Sequence, residues 1–289
     1  MIDALLVGIV NGAIYGLLAL GIVLVYKGSK VLNFAQGEFG TFGLFIAWWL
    51  IEQKDLPWGV GAIIAIASVV AIALLFDRLV IQRMVQASRL AVAVATVGLF
   101  LFLLSLEIVI FKQAVAFLRP PVRGTGEPIL GIPLNPTQMI AIGTLIAIGV
   151  AAAAFLRYTD FGLGVLATAQ DNDAARLVGI RVKRVSSFTW GAAAALGALA
   201  ALLVEPIVGV FGPGSMTEFF IRGLAAALVG GLTSLPGAFV GGITVGIIET
   251  LAITQIGQTT FPAVSSVIML AIIITVLLFR PAGLLGKRA

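Results

Sequence analysis

Three polar side chains, those of Asn33, Gln36 and Glu38, are spaced so that they could meet a small solute at the start of an apolar segment. Gly37, which lies between them, can interrupt a helix. An interrupted membrane helix leaves backbone amide and carbonyl groups free to meet a substrate, and a carboxylate beside an apolar span is costly unless it pairs or faces water. The pattern predicts either a polar site on a transport pathway or an interfacial helix start, with Asn33 as its cap and Glu38 in its first turn.

Asn11 and Tyr15 are polar residues inside the first apolar segment. They are four residues apart, so they share one face of a helix. On that face they either line a pathway or join one helix to another by hydrogen bonds. The complete set of candidate pathway residues is Asn11, Tyr15, Asn33, Gln36, Glu38 and Thr96.

Four charged residues in or beside apolar segments call for a separate interpretation. Arg222 follows Glu218 by four residues, a spacing that predicts a structural ion pair on one helix face. Glu107 and Glu249 lie near the ends of apolar segments, and we expect both to contact water among the lipid headgroups rather than a substrate.

Some chemistry is excluded by composition. The chain has no cysteine and no histidine, so it has neither thiol catalysis nor a histidine-based metal site, and we assign no catalytic residue and no metal ligand. A phosphate-binding loop requires G-x-x-x-x-G-K-[ST], and the nearest string, from Gly283 to Lys287, has the wrong spacing. We therefore expect no bound cofactor and no ATP hydrolysis by this chain itself.

The overall composition is that of a protein embedded in lipid. Hydrophobic residues make up 60% of the 289 residues and charged residues 11%, whereas soluble domains carry about 25% charged residues. The apolar residues occur in runs and not in the alternation of a membrane barrel, and 34 glycines suit closely packed membrane helices. We predict an all-α integral membrane protein whose net charge of +5 reflects its orientation in the bilayer and not a nucleic-acid partner.

A membrane helix needs about 20 largely apolar residues. The chain is one transmembrane domain, 1–289, with eight or nine predicted membrane helices and broken or re-entrant segments near 33–40 and 228–242. The glycines of the second of these segments indicate either close helix packing or a backbone break. The candidate spans are 4–26, 38–51, 58–76, 91–111, 138–156, 186–204, 215–232, 236–253 and 262–280.

Basic residues indicate the orientation, because Lys and Arg are enriched in cytoplasmic loops. With the N-terminus outside, only Lys54, Lys112, Arg119 and Arg123 share its side. Segment 112–137 is then an extracytoplasmic loop, and 157–185 is a cytoplasmic segment of helical pattern, either a docking element or a solvated connector. The basic residues of the cytoplasmic side are Lys27, Lys30, Arg78, Arg83, Arg89, Arg157, Arg176, Arg181, Lys183, Arg184, Arg280, Lys287 and Arg288.

Six motifs occur in order along the whole chain. They are Asn11-Gly-Ala-Ile-Tyr-Gly-Leu-Leu-Ala-Leu-Gly21, Leu32-Asn-Phe-Ala-Gln-Gly-Glu38, Ala95-Thr-Val-Gly98, Ala167-Thr-Ala-Gln170 through Ala174-Ala-Arg-Leu-Val-Gly-Ile180, Leu228-Val-Gly-Gly-Leu-Thr-Ser-Leu-Pro-Gly-Ala238 with Gly246-Ile-Ile-Glu-Thr250, and Phe279-Arg-Pro-Ala-Gly-Leu-Leu-Gly286. With these motifs the chain resembles the branched-chain amino-acid ABC permease family of the LivH type. Leu166 and Asp171 stand where the family usually has Arg and Asn.

The resemblance implies an importer subunit in the bacterial inner membrane. Its implied partners are a second related permease, two cytoplasmic ABC ATPases that use ATP and Mg, and an extracytoplasmic substrate-binding protein. The segment 157–185 resembles the family's coupling segment, which seats on the ATPase. The coupling residues that this implies are Ala169, Gln170, Asp171, Asn172, Ala174, Ala175, Gly179 and Ile180.

Other functions stay open at this stage. The permease could carry another small solute, such as urea, an amide or a sugar. A stand-alone secondary transporter or channel would need ionisable groups within the membrane, for which Glu38 and Arg222 are candidates. A membrane-embedded enzyme would need a cluster of catalytic polar residues, and the sequence shows none.

Overall fold

The fold is described from a computed structural model that covers residues 2–84, 86–122, 128–129, 132–133, 136–256, 264–280 and 282–286. These residues form eleven α-helices and one pair of two-residue antiparallel strands, β1 (Pro128–Ile129) and β2 (Ile132–Pro133). Within the predicted loop 112–137, residues 123–127, 130–131 and 134–135, and so Arg123, lie outside the described residues. The helices are α1 (Ile2–Ser29), α2 (Gln36–Trp48), α3 (Trp58–Leu79), α4 (Arg89–Leu106), α5 (Pro136–Tyr158), α6 (Asp160–Gln170), α7 (Asn172–Leu177), α8 (Val182–Val208), α9 (Met216–Gly230), α10 (Leu235–Ile256) and α11 (Val264–Phe279).

Three of these helices continue into a shorter turn of another type. A single π turn, Trp49–Gln53, extends α2, and Glu107–Phe111 does the same for α4. A 3₁₀ turn, Ile81–Arg83, follows α3.

Six helical segments of the described residues are long and apolar enough to cross a membrane, which makes the chain an all-helical, multi-pass membrane protein. Helices α2, α9 and α11 have 13, 15 and 16 residues and fall short of the length of a full span. The expected count of eight or nine crossings is therefore not confirmed. The six segments are Ala4–Ser29, Trp58–Arg83, Arg89–Phe111, Pro136–Tyr158, Val182–Glu205 and Leu235–Ile256.

Helix α1 lies at the centre of the bundle and packs against α10 without intervening side chains. A Cβ atom added to Gly242 of α10 would lie 2.5 Å from the Cα atom of Gly16, and one added to Gly12 of α1 would lie 2.7 Å from the Cα atom of Ile243. Only glycine allows two helix backbones to approach so closely. The glycines of α10 thus serve close packing, which is one of the two interpretations that the sequence left open.

The two ends of the bundle differ in charge. The basic end is where α1 and α3 end and α8 begins, and there the Gln82 side chain donates to the carbonyl of Lys183 at 3.4 Å and to the hydroxyl of Ser187 at 3.0 Å. At the opposite end, Arg119 lies 3.7 Å from the carboxylate of Glu52. Lys30, Arg89, Arg176 and Lys183 line one hollow at the basic end, so these four of the predicted basic residues lie together in space.

Helices α6 and α7 extend the basic end between α5 and α8, so the helical pattern of 157–185 is confirmed. Thr159 caps α6 by accepting from the amide of Gly162, and Asp171 caps α7 by accepting from the amides of Asp173 and Ala174. Gly179 ends this segment with φ of +85°, a left-handed conformation that favours glycine.

The chain after α11 returns to the turn between α9 and α10. The backbone amide of Leu284 donates to the carbonyl of Val229 at 2.7 Å, and that of Leu285 donates to Gly230 at 3.1 Å. The last carbonyls of a helix have no partner within it, so this segment completes the hydrogen bonding at the end of α9.

Candidate functional site

Helix α2 begins inside the bundle. The side-chain amide of Gln36, its first residue, donates to the carbonyl of Ala193 at 2.7 Å. Ala193 lies about 16 Å along α8 from Val182 at the basic end, and the hydrocarbon core of a bilayer is about 30 Å thick. The first turn of α2 is therefore near the middle of the helical layer.

The chain that leads into α2 is held by a buried polar group. Thr96 of α4 accepts from the amide of Phe34 at 3.3 Å and donates to the carbonyl of Ala93 at 2.8 Å. The carbonyl of the Asn33 side chain accepts from the amide of Ala35 at 3.0 Å, and its amide lies 3.5 Å from the Gln36 side-chain oxygen. The structure thus brings Asn33, Gln36 and Thr96 together.

Asn33 does not cap α2 as the interfacial alternative assumed. The residue at the cap position is Ala35, and no side chain caps the helix. Asn33 is 1% exposed and Gln36 is fully buried, so this helix start is internal and not at a membrane surface.

Two buried carboxyl groups hold the start of α9 and the loop before it. Glu38 accepts from the hydroxyl of Thr217 at 2.9 Å, and Glu107 accepts from the amide of Gly214 at 3.1 Å. Both side chains are fully buried, so the expectation that Glu107 reaches headgroup water is wrong. The second oxygen of each carboxyl accepts from no other described side chain or amide, and the two carboxyl groups lie within hydrogen-bonding reach of each other.

A second buried group joins four helices around Arg222. Its Nε donates to Glu249 of α10 at 2.8 Å, and its terminal nitrogens donate to Ser265 of α11 at 2.9 Å and to Glu218 at 3.3 Å. The hydroxyl of Tyr15 donates to the other oxygen of Glu249 at 2.5 Å. The predicted pair with Glu218 is confirmed, whereas Glu249 is 2% exposed and the expectation that it faces headgroup water is wrong.

Asn11 and Tyr15 both bond to α10. The Asn11 amide lies 3.4 Å from the hydroxyl of Thr250, one residue beyond the partner of Tyr15. Interhelical hydrogen bonding, one of the alternatives for this pair, is therefore present. The six candidate pathway residues form three separate groups, around Gln36, Glu38 and Glu249, and their role in a pathway stays a prediction.

The predicted coupling residues lie on α6, on α7 and on the turn that follows. Ala169 and Ala175 are buried and anchor the segment, whereas Gln170, Asp171, Ala174 and Gly179 are exposed and Asn172 and Ile180 are partly exposed. Leu177 and Val178 are 89% and 77% exposed, so the two side chains form an exposed apolar patch at the basic end. The sequence-based residue set did not include these two, although their apolar character beside a helix end was the available signal.

Glu205 is a further residue that the sequence analysis did not single out. It is 2% exposed, lies at the end of α8 opposite the basic end, and borders a cavity in front of α9. The available signal was an acidic residue at the end of the apolar run 186–204.

Comparisons with known proteins match the chain almost from end to end. Residues 4–277 match the family model described as "Branched-chain amino acid transport system / permease component". The high-affinity branched-chain amino acid transport system permease protein LivH of Salmonella typhimurium is 29% identical over 97% of this chain and 94% of its own length. A probable branched-chain amino acid transport permease protein LivH of Methanocaldococcus jannaschii is 30% identical over 93% of this chain and 88% of its own length.

A solved structure shares the fold. PsaBC from Streptococcus pneumoniae in complex with Fab superposes with a TM-score of 0.53 at 17% identity, covering 96% of this chain and 89% of that chain. The similarity in fold and the match to the family model extend over nearly the same residues. The chain belongs to the family of permease components of branched-chain amino acid transport systems.

Proposed function

We propose that this chain is the permease subunit of an ABC importer that moves branched-chain amino acids across the bacterial inner membrane. The observation that carries the proposal is the family match over residues 4–277, together with relatives of nearly equal length that are named for this transport. The basic end would face the cytoplasm, since Lys and Arg are enriched there.

The interrupted helix α2 supports a transport role. Its first turn lies near mid-membrane, where Gln36 and Glu38 bring polar groups into an apolar bundle. Discontinuous helices of this kind meet substrates in other transporters. In our proposal α2, α9 and α11 join the six long helices as shorter membrane segments, which gives the nine crossings, and the segments near 33–40 and 228–242 are its breaks.

The segment 157–185 would transmit force from the ATPases. Leu177 and Val178 project into water at the basic end, where an apolar surface suits a protein partner. Partner ATPases can shift the permease between inward-open and outward-open states only if they bind the two positions of this segment with different affinity. ATP and Mg would be used by these partners, and a second related permease and an extracytoplasmic binding protein, contacting the 112–137 side, would complete the importer.

One observation supports a rival function. Glu38 and Glu107 are buried carboxyl groups that lie within hydrogen-bonding reach of each other, and intramembrane carboxyls serve proton relays in secondary transporters. Such a transporter would move its solute without ATP.

Purification from the native membrane with an affinity tag, followed by reconstitution, tests the proposal. We expect two P-loop ATPases and a second permease to copurify, and ATP-dependent uptake of leucine to exceed uptake of urea or a sugar. Uptake of urea or a sugar in place of leucine would leave an ABC permease with a different substrate. ATP-independent uptake by the chain alone would replace the proposal with the secondary transporter.

A further inference from the structure

A hollow of about 300 Å³ lies at the basic end of the bundle. Its wall is formed by the end of α1, the 3₁₀ turn after α3, α7, and the starts of α4 and α8. Ligand pockets begin at about 300 Å³, so the hollow has room for one small polar group. Its described lining includes no acidic residue and four basic ones, Lys30, Arg89, Arg176 and Lys183.

The charges of this hollow are accessible and mostly unpaired. Arg89 and Lys183 are exposed and Lys30 is partly exposed, and none of the three takes part in an ion pair between described residues. Arg176 lies 3.7 Å from Asp173, whose side chain is 91% exposed. A cleft lined by charges of one sign concentrates counter-ions, so this hollow attracts an anion.

The buried carboxylate of Asp77, near the end of α3, does not neutralise the hollow. It is fully buried and does not line the hollow. Its oxygens accept from the hydroxyl of Ser186 at 2.5 Å and from the side chains of Gln82 and Ser187, each at 2.6 Å. These bonds tie the 3₁₀ turn to the start of α8, so two walls of the hollow are held at a fixed distance.

A wider hollow of about 630 Å³ adjoins the first and extends its positive charge. The two share Arg176 and Lys183, and the wider one adds Arg181 and Arg184. The start of α8 therefore has basic residues along both hollows, which strengthens the attraction for an anion approaching this end of the bundle.

The position of the hollow favours a lipid as the source of that anion. Arg89 is the first residue of α4, and its neighbour Leu90 is apolar and 75% exposed. Only 28% and 22% of the residues in the apolar stretches of Trp58–Arg83 and Arg89–Phe111 are buried, so these two helices offer most of their surface to lipid. Lipid phosphates lie beside the ends of such helices, and basic pockets between membrane helices bind anionic headgroups.

We propose that this hollow binds the phosphate group of an anionic phospholipid, with Lys30, Arg89 and Lys183 around the phosphate and the acyl chains along the outer face of α4. None of the six candidate pathway residues lines the hollow, so the inference does not depend on which solute the protein carries. A lipid held there joins α4 to α8 through its charge, and its binding stabilises the folded protein.

The test is a lipid titration of the complex isolated through an affinity tag on this chain and stripped of lipid in detergent. Dioleoylphosphatidylglycerol should raise the melting temperature of the complex in a saturable manner, and the zwitterionic dioleoylphosphatidylcholine should not. Because each basic residue near an anionic lipid contributes about fivefold to affinity, Arg89→Gln should weaken phosphatidylglycerol binding about fivefold. Arg89→Gln with Lys183→Gln should weaken it about 25-fold.

Two controls separate the hollow from the charge of the whole basic end. Arg78→Gln removes an exposed arginine from the last turn of α3, at the same end but outside the lining of the hollow, and should leave the affinity within about twofold. Arg89→Lys keeps the charge and should keep most of the affinity. The melting temperature of each variant without lipid reports whether it folds.

Three results would overturn the proposal. Equal weakening by Arg78→Gln and Arg89→Gln would mean that the lipid responds to general surface charge. Stabilisation by millimolar inorganic phosphate, with none by phosphatidylglycerol, would make the hollow a site for a small anion from water. Loss of copurifying subunits in Arg89→Gln, with unchanged phosphatidylglycerol binding, would mean that the hollow receives an acidic side chain of a partner protein.

Discussion

Arg222 of α9 and Glu249 of α10 form a buried ion pair, with Nε of the first 2.8 Å from Oε1 of the second. Their side chains are 15% and 3% exposed. Ser265 of α11 and Tyr15 of α1 complete the hydrogen bonding of the pair. One ion pair and its hydrogen bonds therefore link four helices.

Removal of one partner should be costly, because the other charge would stay buried and unpaired. We expect Arg222→Ala to lower the free energy of unfolding by about 3–5 kcal/mol, measured by SDS-induced unfolding in mixed micelles. Glu218→Ala is the matched control, since it removes the exposed partner of the same arginine, and it should cost at most about 1 kcal/mol. Equal effects of the two substitutions would contradict the importance of the buried pair.

The glycine contact between α1 and α10 should not tolerate a methyl group. Gly242→Ala would place a Cβ atom 2.5 Å from Gly16, and we expect it to lower the free energy of unfolding by about 1–3 kcal/mol or to prevent folding. Gly98→Ala on α4 is the control, because a Cβ atom there meets nothing within 4 Å. The control should be neutral or stabilising by up to about 1 kcal/mol; a destabilised control would show that the effect is not specific to this contact.

The buried hydroxyl of Thr96 should be needed for the shape of the chain before α2. Thr96→Val leaves the amide of Phe34 without its acceptor, so we expect a loss of about 1–3 kcal/mol of stability and slower uptake. Ser105→Ala on the same helix removes a hydroxyl that bonds only within its own helix, to the carbonyl of Leu101 at 2.7 Å. Transport by this second variant should stay at the level of the unsubstituted importer.

The exposed apolar side chains of Leu177 and Val178, at the end of α7, should contact the ATPase. Replacing Leu177 and Val178 together by Ser should reduce copurification of the ATPases severalfold while leaving the melting temperature unchanged, because neither side chain is buried. Leu90→Ser, also at the basic end and 75% exposed, is the control. Full ATPase recovery with the double variant would mean that the partner binds elsewhere.

The sequence predicted the class of fold well, because a helix in lipid satisfies its backbone internally and reveals itself by length and hydropathy. Ion pairs within one helix could also be predicted, as for Arg222 and Glu218, because their spacing alone brings them together. Glu249 was placed among the lipid headgroups because it lies near the end of its own helix. Its burial depends on α1, α9 and α11, whose positions around it no local pattern specifies.

The burial of Glu205 and the depth of α2 could not be predicted either, because both depend on contacts between segments that are distant in the sequence. A polar residue at the end of an apolar run usually marks the membrane surface, whereas the loop 209–215 and Leu118 pack around Glu205 and bury it beside a cavity. For α2, the predicted interruption at Gly37 is wrong, because Gly37 is the second residue of the helix and the interruption is the chain from 30 to 35. The depth at which the helix begins is set by the contact of Gln36 with α8.

The hydrogen bonds from Leu284 and Leu285 to the end of α9 have a practical consequence for measurement. A spectroscopic label at Leu285, which is 52% exposed, sits one hydrogen bond away from the tip of the α9–α10 hairpin. Any displacement of that tip during transport must carry the label with it, so distance changes recorded from Leu285 would follow the hairpin without altering any residue within it.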